Sequence, residues 1–326
     1  MDKVAIVGFG EIGQSISQLY DLRKYEVLAV DPALYNIINN IYKYNSNHRT
    51  ELLKGLKKVI LNKTLTGYTD LSRVRNRAVT EPSDGTEPSV TSSKTSDSKS
   101  YKDLSHNIEY HNNINILNIC FGHSESFIEF AVEYVKFFNP ELVIVHSTVP
   151  IGTCRAIGEA TGVKIAHSPV IGKHPDLTES LTTFEKAVSG IDAETVEMAC
   201  SHLNELNVDC VPTDKLENTE LAKMLSTSYY AHCIDWMRDV KQLCDEQHVD
   251  FAFVYNKFNN IYNNGYEKMD MSQFNRPVLK YMEGAFGGHC LGSNLELLKE
   301  IFPAAKSLLK KDIEFSSRKN AIKTLP

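Results

Sequence analysis

The sequence predicts an α/β fold: a parallel sheet with helices on both faces, followed by a mainly helical region reached through a long connecting helix. Three observations predict it. Short apolar runs alternate with helical-period segments through roughly the first two hundred residues. The first of those runs, Val4 to Val7, ends in the glycine-rich turn GFGEIG. Far along the chain, DKLENTELAKMLSTSYYAHCIDWMRDVKQLCDE continues from Asp214 to about Glu246 without Pro or Gly.

The opening element is the most specific. The strand Val4–Val7 reaches Gly8, Gly10 and Gly13 in GxGxxG spacing, and a helix is expected from Glu11 to about Leu19. Gly8 permits a tight turn, Gly10 lets a pyrophosphate approach the backbone, and Gly13 lets helix and strand pack closely. Phosphate would meet the first helical residues, Glu11 and Ile12, where free N–H groups favour negative charge. The next strand, YEVLAVD, ends in Asp31, eighteen residues past Gly13, where a carboxylate takes ribose hydroxyls. An acid there repels a 2′-phosphate, so a Rossmann-like domain with NAD as the cofactor is predicted.

Further elements continue the alternation. INILNICF (Ile114–Phe121) reads as a strand, Glu125 to Phe137 as a helix, and Leu142 to Val145 as a strand. KIAHSPV and KAVSG read as further short strands. Ligands in such sheets gather beyond the strand C-termini, which places Ser147 and Thr148 on the nicotinamide side of the cofactor. Between these elements, TEPSDGTEPSVTSSKTSDSKS (residues 80–100) holds 11 Ser or Thr in 21 residues and reads as a disordered surface insertion.

Bulk properties exclude several classes. The net charge of −6, with no basic block beyond short Lys pairs, argues against a nucleic-acid partner. No apolar run reaches membrane-span length, and MDKVAIVGFG reads as a strand, not a secretory leader. The seven cysteines are odd in number and irregular in spacing, with no metal-ligand pattern. Free thiols in a cytoplasmic protein and no metal are expected.

In the second half, Leu221, Leu225, Tyr229, Cys233, Trp236, Val240 and Leu243 form a helical stripe. It is longer than a small domain needs, which suggests packing between domains or subunits. Glu220, Lys223 and Thr227 lie on a different face and could share one cleft. Ser293 and Glu296 have capping-box spacing, predicting a helix from Leu295 to Phe302 with Cys290 just before it. Helix N–H groups there would favour a thiolate, and Gly287 and Gly288 leave room for a substrate. Cys290 is either a nucleophile or a structural thiol on this reading. The organisation expected is residues 1–212 as the cofactor domain, 213–305 as a helical central and dimerisation domain, and 306–326 as a tail.

GFGEIG with Asp31, HSTVPIGT (His146–Thr153), ENTELAKMLSTSYY (Glu217–Tyr230) and FGGHC (Phe286–Cys290) occur in an order that resembles the UDP-glucose/GDP-mannose dehydrogenase family. These are NAD-dependent enzymes that oxidise a nucleotide-sugar alcohol to a carboxylate. The resemblance spans nearly the whole chain and implies a homodimer built on the long helix. It implies Cys290 as the nucleophile that captures an aldehyde, and Lys223 as the cation that stabilises charge on the substrate oxygen. It further implies Thr148 as a group that helps place water and substrate, and Arg276 as a residue on the substrate side.

The departures from the family pattern are equally specific. Val170 stands in the place of a family glutamate, and His174 is the residue nearest a second one. Thr227 replaces an asparagine, Asn294 replaces an aspartate, and Gly292-Ser293 replaces a proline–lysine pair. A C-terminal nucleotide-binding domain is not expected in a chain that ends at 326. His174 or His289 could stand in for a missing base. Three readings stay open: a dehydrogenase acting on a sugar-like or nucleotide-sugar alcohol, a catalytically reduced NAD-binding or regulatory relative, and a simple 2-hydroxy-acid-type dehydrogenase.

Overall fold

The computed structural model describes residues 2–8, 10–21, 23–30, 114–172, 177–286 and 289–323. The insertion at residues 80–100, Asp31, His174, Gly287 and Gly288 lie outside the described residues. The chain divides into two compact units: residues 1–147 with 154–216, and residues 148–153 with 217–326.

The first unit is built on a seven-stranded sheet in the order β2-β1-β3-β4-β5-β6-β7. Its strands are β1 (Asp2–Val7), β2 (Tyr25–Val30), β3 (Ile116–Ile119), β4 (Leu142–Val145), β5 (Lys164–His167), β6 (Lys186–Gly190) and β7 (Cys210–Thr213). Its helices are α1 (Glu11–Ser17), α2 (Phe127–Phe138), α3 (Thr153–Thr161), α4 (Leu177–Thr183) and α5 (Ala193–Glu205). β1, β3 and β4 are buried almost throughout, as a parallel sheet covered on both faces requires.

Two features of the sheet differ from expectation. β5 and β6 pair antiparallel, so the sheet is mostly and not wholly parallel. β7 was not foreseen: its burial is partial and Pro212 lies within it, the composition of an edge strand and not of an apolar run. The α2 helix closes on Asn139, whose left-handed φ of 45° ends the helical path just before β4.

A polar network runs through this apolar interior. Tyr20 Oη lies 2.8 Å from His202 Nε2 and accepts from the Asn118 carboxamide at 2.9 Å. That carboxamide lies 2.8 Å from His146 Nε2, while His146 Nδ1 lies 3.0 Å from the Ser168 carbonyl. Both ring nitrogens thus face oxygens that only accept, Ser168 O and Asn118 Oδ1, and a neutral ring donates to one of them at a time. The buried Lys186 ammonium donates to the same carbonyl at 2.8 Å and to Pro169 O at 3.2 Å. Burial, with Lys186 adding repulsion, holds His146 well below its ordinary pKa and keeps the ring neutral.

The second unit is helical. It contains nearly all of α6 (Leu216–Glu246), a π-helical turn (Ala252–Lys257), α7 (Phe258–Lys268), α8 (His289–Leu298) and α9 (Pro303–Lys323). Met224 and Ala231 of α6 pack with Leu295 and Leu298 of α8 and with Ala305 and Leu308 of α9. The stripe read along α6 therefore splits. Leu221 and Leu225 join this core, whereas Tyr229, Trp236 and Leu243 are 55%, 66% and 56% exposed. Helix α8 begins at His289, six residues earlier than its capping-box spacing predicts. Ser293 and Glu296 are thus internal: Ser293 Oγ donates to Cys290 O, and Glu296 pairs with Lys299. Cys290 sits inside the first turn instead of ahead of the helix.

Candidate functional site

In the first unit the glycine-rich turn lies at the C-terminal ends of β1 and β3, where the strand order reverses from β1. The three glycines do different things. Gly8 adopts a φ of 91°, and a Cβ there would collide with the backbone of Phe121. A Cβ on Gly13 would overlap the Gly8 carbonyl oxygen. Gly10 has an ordinary extended conformation, caps α1, and a Cβ there would meet nothing within 4 Å. Two of the glycines are required by packing within the unit, while the middle one borders open space, as close approach by a ligand backbone requires. These residues fit a dinucleotide. Glu11 and Ile12 follow in the first turn of α1, both half-buried.

Ser147 is buried and its hydroxyl donates to Phe121 O at 2.6 Å, tying the end of β4 to the loop beside Gly8. Val170, at the place of the family glutamate, is 5% exposed and belongs to the apolar core with Leu177, Leu181 and Val188. That position packs the interior and offers no carboxylate.

The second unit brings together several predicted residues. Burial lowers the pKa of Lys223, and an electrostatic interaction with Cys290 opposes that shift. The two groups are therefore in electrostatic reach of one another, although they are far apart in sequence. Helices α6 and α8 are fastened beside them: Asn294 Nδ2 donates to Thr227 Oγ1 at 2.8 Å, and Thr227 Oγ1 donates to Met224 O at 2.9 Å. Two of the positions read as departures in the sequence, Thr227 and Asn294, thus contact each other. Asn294 is 4% exposed, and its amide is engaged in holding the helices. Glu220 is fully buried and accepts from Gly152 N at 2.6 Å, anchoring the turn that begins with the half-buried Thr148. The sequence placed Glu220 on the Lys223 face but carried no signal for that contact.

Arg276 makes its contacts with α7. Its guanidinium stacks 3.6 Å from the Tyr262 ring centroid. Asn263 accepts from its backbone N–H at 2.8 Å and donates to its carbonyl at 2.9 Å. It is an exposed group fixed on the α7 arm. None of the seven cysteines is in a disulfide, and no cluster of three or more His, Cys, Asp or Glu suited to a metal occurs among the described residues. No helix among them is long and apolar enough to cross a membrane.

No family model matches the chain, and a search of curated proteins gives no match. Solved structures do match in fold. A UDP-D-ManNAc dehydrogenase from Pyrococcus horikoshii is 16% identical, with a TM-score of 0.62 over 96% of this chain and 68% of that one. A UDP-N-acetyl-mannosamine dehydrogenase from Staphylococcus aureus is 16% identical, with a TM-score of 0.58 over 100% of this chain and 72% of that one. The 3-hydroxyisobutyrate dehydrogenase of Mycobacterium tuberculosis is 12% identical, with a TM-score of 0.56 over 97% of this chain and 94% of that one. At these identities the likeness is one of fold.

Proposed function

We propose that this chain is an NAD-dependent oxidoreductase of the nucleotide-sugar dehydrogenase type, oxidising a CH–OH group of a sugar-like or nucleotide-sugar alcohol. The observation that carries the reading is the pairing of a desolvated Lys223 amine with Cys290 inside one unit. The open space at Gly10 supports the cofactor. Gly8, Gly10, Glu11, Ile12 and Gly13 would hold NAD, with Asp31 on its ribose and Thr148 near its nicotinamide. Bound NAD supplies the hydride acceptor.

The chain's own groups do the rest. Desolvation loosens the hold of Lys223 on its proton, which suits a group that exchanges a proton with a substrate hydroxyl. Protonated, it stabilises negative charge on the substrate oxygen. The Cys290 thiolate adds to the carbonyl carbon of the aldehyde product and retains it as a thiohemiacetal. Asn294 cannot act as a base for water in a later step, because a carboxamide does not accept a proton near neutrality. Arg276, Gly287, Gly288, Thr227 and His174 stay assigned to the substrate side.

The test incubates wild type, C290A and K223A with NAD and an alcohol panel including UDP-glucose and UDP-N-acetylhexosamines, following NADH absorbance. Wild type reduces NAD with at least one alcohol, and each variant loses at least about a hundredfold in rate. Turnover kept by C290A and lost by K223A points to a 2-hydroxy-acid-type reaction without covalent capture. NAD binding without turnover by any alcohol points to a regulatory relative, a reading that the replaced carboxylates at Val170 and Asn294 favour.

The exposed half of the α6 stripe supports a homodimer. Tyr229, Trp236 and Leu243 recur at heptad spacing on one helix face. Light scattering should give twice the chain mass for wild type and the single-chain mass for Trp236→Glu; an unchanged mass in the variant removes α6 from the interface. The free thiols suit a reducing compartment such as the cytoplasm.

A further inference from the structure

The segment carrying Cys290 is tethered to α6 on both sides of the cysteine. Downstream, Asn294 binds Thr227. Upstream, the strap Gly284–Phe286 is gripped by a pair that no motif announces. Arg238 of α6 donates Nη1 to Asp312 Oδ1 of α9 at 2.8 Å and Nη2 to Gly284 O at 2.6 Å. The same Asp312 oxygen accepts from Phe286 N at 2.8 Å. The Arg238 guanidinium lies between two rings, 4.7 Å from the Phe286 centroid and 4.3 Å from that of Phe315. Gly284 turns its carbonyl to Arg238 through a φ of 102°, which a side chain would strain.

Arg238 is 5% exposed, so the pair is withdrawn from water. Buried ion pairs contribute little stability over well-packed apolar groups of the same size. What this pair does that apolar groups cannot is set the positions of one backbone carbonyl and one backbone N–H with directed, charge-assisted hydrogen bonds. Both belong to the strap that runs into FGGHC.

We infer that Arg238 and Asp312 are positioning residues that hold Cys290 against Lys223, by fixing the upstream end of its segment to the helix that carries the lysine. The inference rests on the proposed pairing of Lys223 with Cys290. Without the grip, Asn294 tethers one end only, and the cysteine samples positions beyond the field of the amine.

The test is a coupling measurement on the full chain. The rate of Cys290 alkylation by iodoacetamide is read by mass spectrometry, with and without Lys223→Ala, in two backgrounds. In wild type, Lys223→Ala slows alkylation about fivefold, because the amine favours the thiolate. In Arg238→Met/Asp312→Leu, which replaces the pair by apolar groups of similar size, the effect of Lys223→Ala shrinks to less than about 1.5-fold. Helical circular dichroism and unchanged alkylation of Cys200 and Cys210 in the first unit certify the fold. Asp312→Asn keeps an oxygen for Phe286 N–H and serves if the double variant unfolds; there the effect falls to about twofold. An equal effect of Lys223→Ala in all backgrounds overturns the positioning role alone. No effect in wild type overturns the Lys223–Cys290 pairing, and the positioning role with it.

Discussion

Replacing Gly13 by alanine is expected to cost the first unit about 3 kcal/mol and to abolish NAD binding. Replacing Gly10 is expected to cost under about 1 kcal/mol while weakening NAD at least about tenfold. The contrast follows from what a methyl group meets. At Gly13 it overlaps the Gly8 carbonyl oxygen, a backbone atom in a turn that is itself pressed against Phe121. Neither side can yield without moving β1 or α1, and β1 is paired on both sides and buried from Val4 to Val7. At Gly10 the backbone is extended with negative φ and the space is open. The alanine methyl is then accommodated by the protein and obstructs only a pyrophosphate. Urea unfolding followed alongside NAD titration separates the two effects. Equal losses of stability in both variants would remove the assignment of Gly10 to the ligand.

Acidification from about pH 7 to about pH 4 is expected to remove about 3 kcal/mol from the first unit through His202 alone. Burial lowers the His202 pKa from 6.5 to about 4, against smaller opposing effects of Glu205 and Asp2. The ring is neutral in the folded chain, within hydrogen-bond distance of Tyr20 Oη in the network that reaches His146. Below about pH 6.5 the unfolded chain binds a proton that the folded chain does not, so stability falls with pH. The loss levels off below about pH 4, where the folded state becomes charged as well. His146, also held neutral, adds to the loss in the same direction. Urea midpoints across this range should show a flatter profile for His202→Gln than for wild type. Parallel profiles would mean that His202 binds its proton equally well in the folded and unfolded chain, with no shift on folding.

Much of the first unit was legible because its determinants are local. β4 and β6 occur at the residues read from the sequence, since an apolar run between turn signals states both its length and its burial. The turn at Gly8 and the close packing at Gly13 were readable because a strand–turn–helix junction constrains neighbours a few residues apart. The start of α8 was misread because Ser293 and Glu296 match a cap in spacing alone. A capping box describes one turn, whereas the packing of Leu295 and Leu298 against Met224 and Ala231 acts on the whole helix. The direction of β6 could not be read either, since alternation of apolar runs carries no sign.

The sequence by itself determined the architecture of alternating strands and helices, the glycine turn, the long helix and the residue types available for chemistry. Only the tertiary structure decided which of them meet. It joined Asn294 to Thr227, put Val170 in the core, fastened Gly152 to Glu220 and gripped the Cys290 segment with Arg238 and Asp312. The physical reason is one of range. Periodicity and turn chemistry act over a few residues, whereas a hydrogen bond between residues 67 or 74 positions apart exists only after the apolar faces have packed.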